Sequence, residues 1–166
     1  MRKMLVSVAA TFAFVLSASA YAEVKKDDVA KVQYEIPAGM KVTTQGNMVA
    51  IEEDKKAEGA KEVAFFISTF DKADQQKAMG EMDTVLSSFL KDVKPAGDPA
   101  KDKLNGMDAV KVKATATFGG KPANVTMVIL QPPGPKMLII AGVVLTDKKD
   151  TWGPIAGKFI GSFKPL

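Results

Sequence analysis

The 166-residue sequence contains no cysteine and no histidine. Without cysteine there is no disulfide framework, no thiolate nucleophile, and no residue that a lipid could modify at a cleavage site. Without histidine there is no Ser-His pair, and with both residue types missing the common nitrogen and sulfur ligands of zinc are gone. Arginine occurs once, at Arg2. The side chain that reads phosphate and guanine through two parallel bonds is thus absent from the rest of the chain, and charges alternate in sign along it. Both features argue against nucleic acid as a partner despite a pI of 9.2. These absences remove most hydrolase and metalloenzyme classes, and they leave stability to packing.

What is present begins with MRKMLVSVAATFAFVLSASAYAEV, which has the three parts of a secretory signal. Arg2 and Lys3 are the basic start, residues 4–16 the apolar stretch, and Ala20 and Ala22 the A-x-A cleavage site. The apolar stretch falls short of the ~20 residues that span a bilayer. Cleavage after Ala22 leaves 144 residues with 21 lysines against 19 acids, a net charge of +2. A cut after Ala20 changes little. The expected product is a soluble periplasmic protein, not a lipoprotein. A chain of that length buries about two-thirds of its unfolded surface, enough for one core. One domain is therefore expected over residues 32–166, preceded by a flexible polar arm over 23–31.

Along that domain VQYEIPAGM reads as a strand ended by Pro37-Ala38-Gly39, NMVAIEE as a second, and EVAFFISTF as a central third; the charged turn EEDKKAEGAKE lies between the last two. From Asp71 the period changes. Met79, Met82, Val85, Leu86, Phe89, Leu90 and Val93 recur at three and four, so a long helix is expected over about 72–93, with Asp71 capping it and Asp74 in its first turn. Three strands follow in tight succession. MDAVKVKATATF alternates Val110, Val112, Ala114 and Ala116 with Lys111, Lys113, Thr115 and Thr117, one face buried and one wet. Gly119-Gly120 turns into NVTMVILQ, and Pro132-Pro133-Gly134-Pro135 turns into MLIIAGVVL, residues 137–145. As a strand those nine residues reach ~30 Å; as a helix they rise only ~14 Å and cross no membrane. Their unbroken apolarity places them in a sheet covered on both faces, so Ile139 and Ile140, which point opposite ways, should both be buried. A C-terminal helix over about 152–161 is expected, with Thr151 as cap and Pro154 in its first turn. The fold class is α+β: an α/β/α sandwich on a mainly antiparallel sheet of about six strands.

YEIPAGM, LNGMDAVKV, the GG turn, PPGPKMLIIAGVV and the closing FIGSFKPL, in this order over residues 32–166, resemble the PsbP/DcrB-like superfamily. The resemblance implies an exported, non-enzymatic domain, because members serve as extrinsic subunits of membrane complexes in the thylakoid lumen or as bacterial envelope proteins. It carries no catalytic residue with it.

The residues themselves offer little chemistry. Ser88 and Lys91 match S-x-x-K, but neither S-D-N nor K-T-G accompanies them. Gly153 to Lys158 is one residue short of a phosphate loop and contains a proline. Glu52-Glu53-Asp54 and Asp71 with Asp74 lack calcium-loop spacing, and Asn124-Val125-Thr126 is a formal glycosylation sequon in a strand. No catalytic residue, cofactor or metal is therefore expected. The expected function is that of a soluble periplasmic accessory protein binding an envelope protein or complex. The alternative is a carrier of an apolar small molecule held between sheet and long helix, lined by Phe65, Met82, Phe89 and Ile139.

Overall fold

The computed structural model describes residues 23–54 and 61–166. The expected secretory signal, with its cleavage residues Ala20 and Ala22, and residues 55–60 of the stretch expected to turn lie outside the described residues. In chain order the elements are β1 (Glu23–Asp27), β2 (Val32–Ile36), β3 (Met40–Gln45), β4 (Met48–Glu53), β5 (Val63–Asp71), α1 (Gln75–Ser87), β6 (Leu90–Pro95), β7 (Ala100–Leu104), β8 (Met107–Phe118), β9 (Lys121–Gln131), β10 (Lys136–Leu145), α2 (Lys149–Gly161) and β11 (Lys164–Pro165). The large sheet has eight strands in the order β3-β4-β5-β10-β9-β8-β6, with β7 also paired to β8, and β1-β2-β11 form a second, three-stranded sheet. The described pairings are antiparallel.

β10 is the keystone, and its sequence says why. Leu138, Ile140 and Val144 face one side, where they pack with Val63, Phe65 and Ile67 of β5 and with Phe159 and Phe163. Met137 and Ile139 face the other, against Ala78 and Met82 of α1. Ala141, Val143 and Leu145 extend that second side toward Phe66, Leu90 and Phe118. Ile139 and Ile140 are both 0% exposed, so the sheet is covered on both faces. Each such side chain contributes about 1.5–3 kcal/mol by leaving water. Gly142 is the strand's one gap, and the ring of Phe65 fills it: a Cβ there would lie 3.3 Å from Phe65 Cδ1.

The second layer on the α2 side is aromatic. Tyr34 of β2 stacks on Phe163 at 4.7 Å and meets Phe159 edge-on at 6.2 Å, while Phe65 lies 4.5 Å from Phe159. Burial, with the charge of Asp27 adding, pushes the Tyr34 phenol up to about 12. Asp27 also makes the β1–β2 turn, its Oδ1 accepting from the backbone N–H groups of Val29 (3.0 Å) and Ala30 (2.8 Å). Asn105 ties the β7–β8 turn to the end of α2, donating from Nδ2 to the carbonyls of Gly161 (2.9 Å) and Phe163 (2.7 Å).

Several expectations are corrected. The large sheet has eight strands rather than about six, because the polar segments β3, β6 and β7 pair with its other strands, while β1 and β11 pair with β2 in a separate sheet. Residues 23–27, expected within a loose arm, are strand β1, in register with β2 from Glu23↔Ile36 to Asp27↔Val32. The long helix stops at Ser87 rather than 93. Its last turn tightens, with the N–H groups of Ser88 and Phe89 bonding to the carbonyls of Val85 (3.1 Å) and Leu86 (3.2 Å). The chain then enters β6, which closes the outer edge of β8. Leu90 is buried there as a strand residue and Val93 is 51% exposed. Pro95, which cannot donate, is tolerated because β6 is an edge strand.

Asp71 does not cap α1; it ends β5, makes no capping bond, and pairs instead with Lys136 across the β5–β10 ladder (2.9 Å). The C-terminal helix begins at Lys149, three residues before the expected start, because β10 leads through a 3-10 turn at Thr146–Lys148 directly into it. Pro154 is thus inside the helix, at an exposed position, and the N-cap residue is Lys148, not Thr151. The side chain that fixes this helix start is Trp152: its Nε1 donates to Glu62 Oε2 (3.0 Å), which Lys148 also reaches (3.2 Å to Oε1).

Candidate functional site

The four residues proposed to line an apolar cavity do not meet. Phe65 points to the α2 side of the sheet, whereas Met82, Phe89 and Ile139 lie on the α1 side. Met82 and Ile139 pack together, and Phe89 stacks on Phe66 at 4.4 Å. The reason is strand alternation: Phe65 and Phe66 are neighbours on β5, so only one can face α1.

Other sequence candidates are placed in structural roles. Ser88 Oγ donates to the carbonyl of Val85 (2.6 Å), and Lys91 lies beyond the turn in β6, so the two do not share a helix face. Gly153 to Lys158 is continuous helix within α2. Glu53 Oε2 accepts from the backbone N–H of Glu62 (2.8 Å), tying the end of β4 to the start of β5. Asn124 Nδ2 donates to Thr146 Oγ1 (3.3 Å). Among the described residues no group of three or more His, Cys, Asp or Glu side chains is placed to hold a metal ion, and no helix is long and apolar enough to cross a membrane.

Two surfaces on the β8–β9 hairpin stand out. The first is a cleft of about 370 Å³ on the α1 side, lined by Lys101, Asp108, Val110, Ile129 and Gln131. Register puts these residues together: Lys101 opposes Val110, Asp108 opposes Gln131, and Val110 opposes Ile129. Val110 and Ile129, which join the α1 core, make an apolar floor. Polar groups make the rim, where Lys103 Nζ bonds Asp108 Oδ1 at 2.9 Å. That hydrogen bond, with the charges of Lys103 and Lys72, holds the Asp108 carboxyl below the usual carboxylate range. Lys72 is itself fixed at 2.7 Å on the carbonyl of Pro132.

The second surface is the opposite side of the same hairpin. The α2 layer ends over Ala109 and Val128, which belong to its core. Beyond them Lys111, Lys113, Thr115 and Thr117 of β8 continue on the α2 side with Thr126 and Asn124 of β9. β6 adds Lys91 opposite Thr117 and Lys94 opposite Thr115. Lys91, Lys94, Lys113 and Thr115 are exposed, while Lys111 and Thr117 are half-buried. Alternation in MDAVKVKATATF foretells the β8 half of this face; the β6 half is hidden in a segment that reads as helix. The cleft is likewise missed, because β7 (AKDKL) has no strand signal of its own. Only Asn105-Gly106, a two-residue turn with φ of 48° and 85°, marks the β7–β8 hairpin.

No family model matches the sequence, and no curated protein matches it. Solved structures do match the fold. Cyanobacterial PsbP of Synechocystis is 11% identical with a TM-score of 0.63, over 98% of this chain and 99% of that one. LpqN of Mycobacterium tuberculosis, described as involved in cell envelope biogenesis, is 12% identical with a TM-score of 0.55, over 80% of this chain and 82% of that one. A Bacteroides thetaiotaomicron protein is 12% identical with a TM-score of 0.53; the match takes in 82% of this chain but spans only 45% of the other.

Proposed function

We propose that this domain, which has the PsbP/DcrB-like fold, is an exported accessory protein that works in the periplasm by docking on an envelope protein, without catalysis of its own. The cleft over Val110 and Ile129 carries the reading. An apolar floor inside a ring of Lys101, Asp108 and Gln131 is shaped to take one apolar anchor from a partner and to satisfy the polar groups around it. At about 370 Å³ it is of the size that receives a single large side chain or a small ligand. The likeness to LpqN, named for cell envelope biogenesis, supports the location, and the secretory signal and the absence of histidine and cysteine support export and the lack of chemistry.

The test is photo-crosslinking in living cells from positions 108 and 131, with position 77 on α1 as the comparison. A discrete protein adduct from the cleft positions, weakened by Val110→Arg, is the expected result. Adducts of equal yield from all three positions, or none from any, would overturn the reading.

A further inference from the structure

We propose that the lysine face of β6 and β8 is a docking surface for anionic lipid headgroups, which seats the domain flat on a membrane with the cleft turned away. The proposal rests on a different side of the hairpin from the protein-binding cleft, so either can fail alone.

Four lysines, Lys91, Lys94, Lys111 and Lys113, share the α2 side of two paired strands. None of the four makes an ion pair among the described residues. Asp92 contributes one carboxylate, accepting from the Thr117 hydroxyl (3.3 Å), so the face carries about +3, more than the net +2 of the whole chain from residue 23 onward. Each lysine faces an uncharged partner, Lys91 and Lys94 opposite Thr117 and Thr115, and Lys111 and Lys113 opposite Val128 and Thr126, so the row of positive charge is left for an anionic surface to neutralise.

The residues between the lysines decide what kind of surface that is. Protein interfaces are anchored by tryptophan, tyrosine and arginine in pockets and are depleted in lysine. This face has lysine, threonine and asparagine, with no aromatic and no arginine, on the open face of a sheet. Such a surface fits many equivalent headgroups in a plane rather than one partner's shape. Val93, 51% exposed in the bulge between Lys91 and Lys94, adds one exposed apolar side chain to this edge strand, of the kind that enters the boundary between headgroups and acyl chains.

Each lysine near an anionic surface multiplies partitioning about fivefold, so a net of three gives about a hundredfold over neutral lipid. The experiment is vesicle co-sedimentation of the protein purified after expression of the full chain, using phosphatidylcholine vesicles with and without about one-third phosphatidylglycerol. Binding is expected only to the anionic vesicles, and is expected to be lost as salt is raised toward ~0.5 M, where charges are screened within a few ångströms. Lys94→Gln with Lys113→Gln should lower partitioning about 25-fold at unchanged thermal midpoint. Lys77→Gln with Lys101→Gln, equal in charge but placed on the α1 side, should leave it within about twofold. Equal binding to neutral vesicles, no binding to anionic ones, or equal losses in the two double variants would each overturn the proposal. Crosslinks from position 113 to a protein instead of lipid would do the same and leave the cleft untouched.

Discussion

Asn105 offers the sharpest test of how the α2 layer is held, because three substitutions there separate three physical effects. Its φ of 48° lies in the left-handed region that costs most residues about 1–2 kcal/mol. Its Nδ2 donates both hydrogens, to Gly161 and Phe163 carbonyls at the end of α2, bonds worth about 1 kcal/mol each. Asn105→Gly keeps the conformation and loses the bonds, a loss of about 2 kcal/mol. Asn105→Ala loses both, about 3 kcal/mol. Asn105→Asp keeps the shape but turns an acceptor toward two carbonyls at the negative end of the helix dipole, and should be the worst of the three. For a domain of this size each kcal/mol lowers the thermal midpoint by about 3 °C. Urea and heat unfolding can be followed by the fluorescence of Trp152, the chain's single tryptophan, which is half-buried. An Asp variant more stable than the Ala variant would show that the side chain does not act as a donor, and equal Gly and Ala variants would show that the backbone is not strained.

Other consequences are as direct. Ile139→Ala and Ile140→Ala should each cost about 3 kcal/mol in urea unfolding, because both sites are closed and lie on opposite faces; a cost below about 1 kcal/mol for either would mean that one layer is loose. Tyr34 ionises at about 12 when folded against an ordinary 10, so its contribution to stability is complete below pH 10 and is lost as pH rises toward 12. Alkaline unfolding in that window should be weakened in Tyr34→Phe, and an identical pH profile for the two proteins would refute it. Gly142→Ala places a methyl 3.3 Å from a fully buried phenyl ring and should destabilise by about 1–2 kcal/mol, an effect relieved when it is combined with Phe65→Leu. If the double variant shows no relief, the ring is not what limits that position.

The elements that bury apolar side chains on both faces or in strict alternation are legible in the sequence; those that lie at edges are not. MLIIAGVVL and MDAVKVKATATF announce their strands because the core selects each side chain. The segments MKVTTQ, LKDVKP and AKDKL do not, since an edge strand needs only backbone partners and is best filled with lysine, which discourages pairing with another chain. The failure at residues 88–93 has the same origin. Phe89 and Leu90 satisfy a helical period and also satisfy a turn followed by a strand, and the decision falls to the open edge of β8, more than twenty residues away. Pro154 misleads in the opposite sense: local propensity starts the helix after Thr151, and the tight exit from β10 starts it earlier.

That same edge logic shapes the candidate sites. Closing the long β8 takes two short strands, β6 at its far end and β7 at its near end, and neither has a core-facing row of its own. Their side chains are thus free of packing constraint, while the backbone ladder fixes their positions against the rigid β8–β9 hairpin. Lys101 is held over the cleft by β7, opposite Val110, and Lys91 and Lys94 are held by β6 opposite Thr117 and Thr115, on the face that Lys111 and Lys113 continue. Polar groups set on a stiff frame lose little freedom on binding, so the least legible strands of the sequence are the ones best placed to meet a partner. A deletion that removes β7 and restores the chain with a short glycine linker should therefore abolish crosslinking at the cleft while leaving the lysine face bound to anionic vesicles; loss of both together would mean that the two surfaces are not independent.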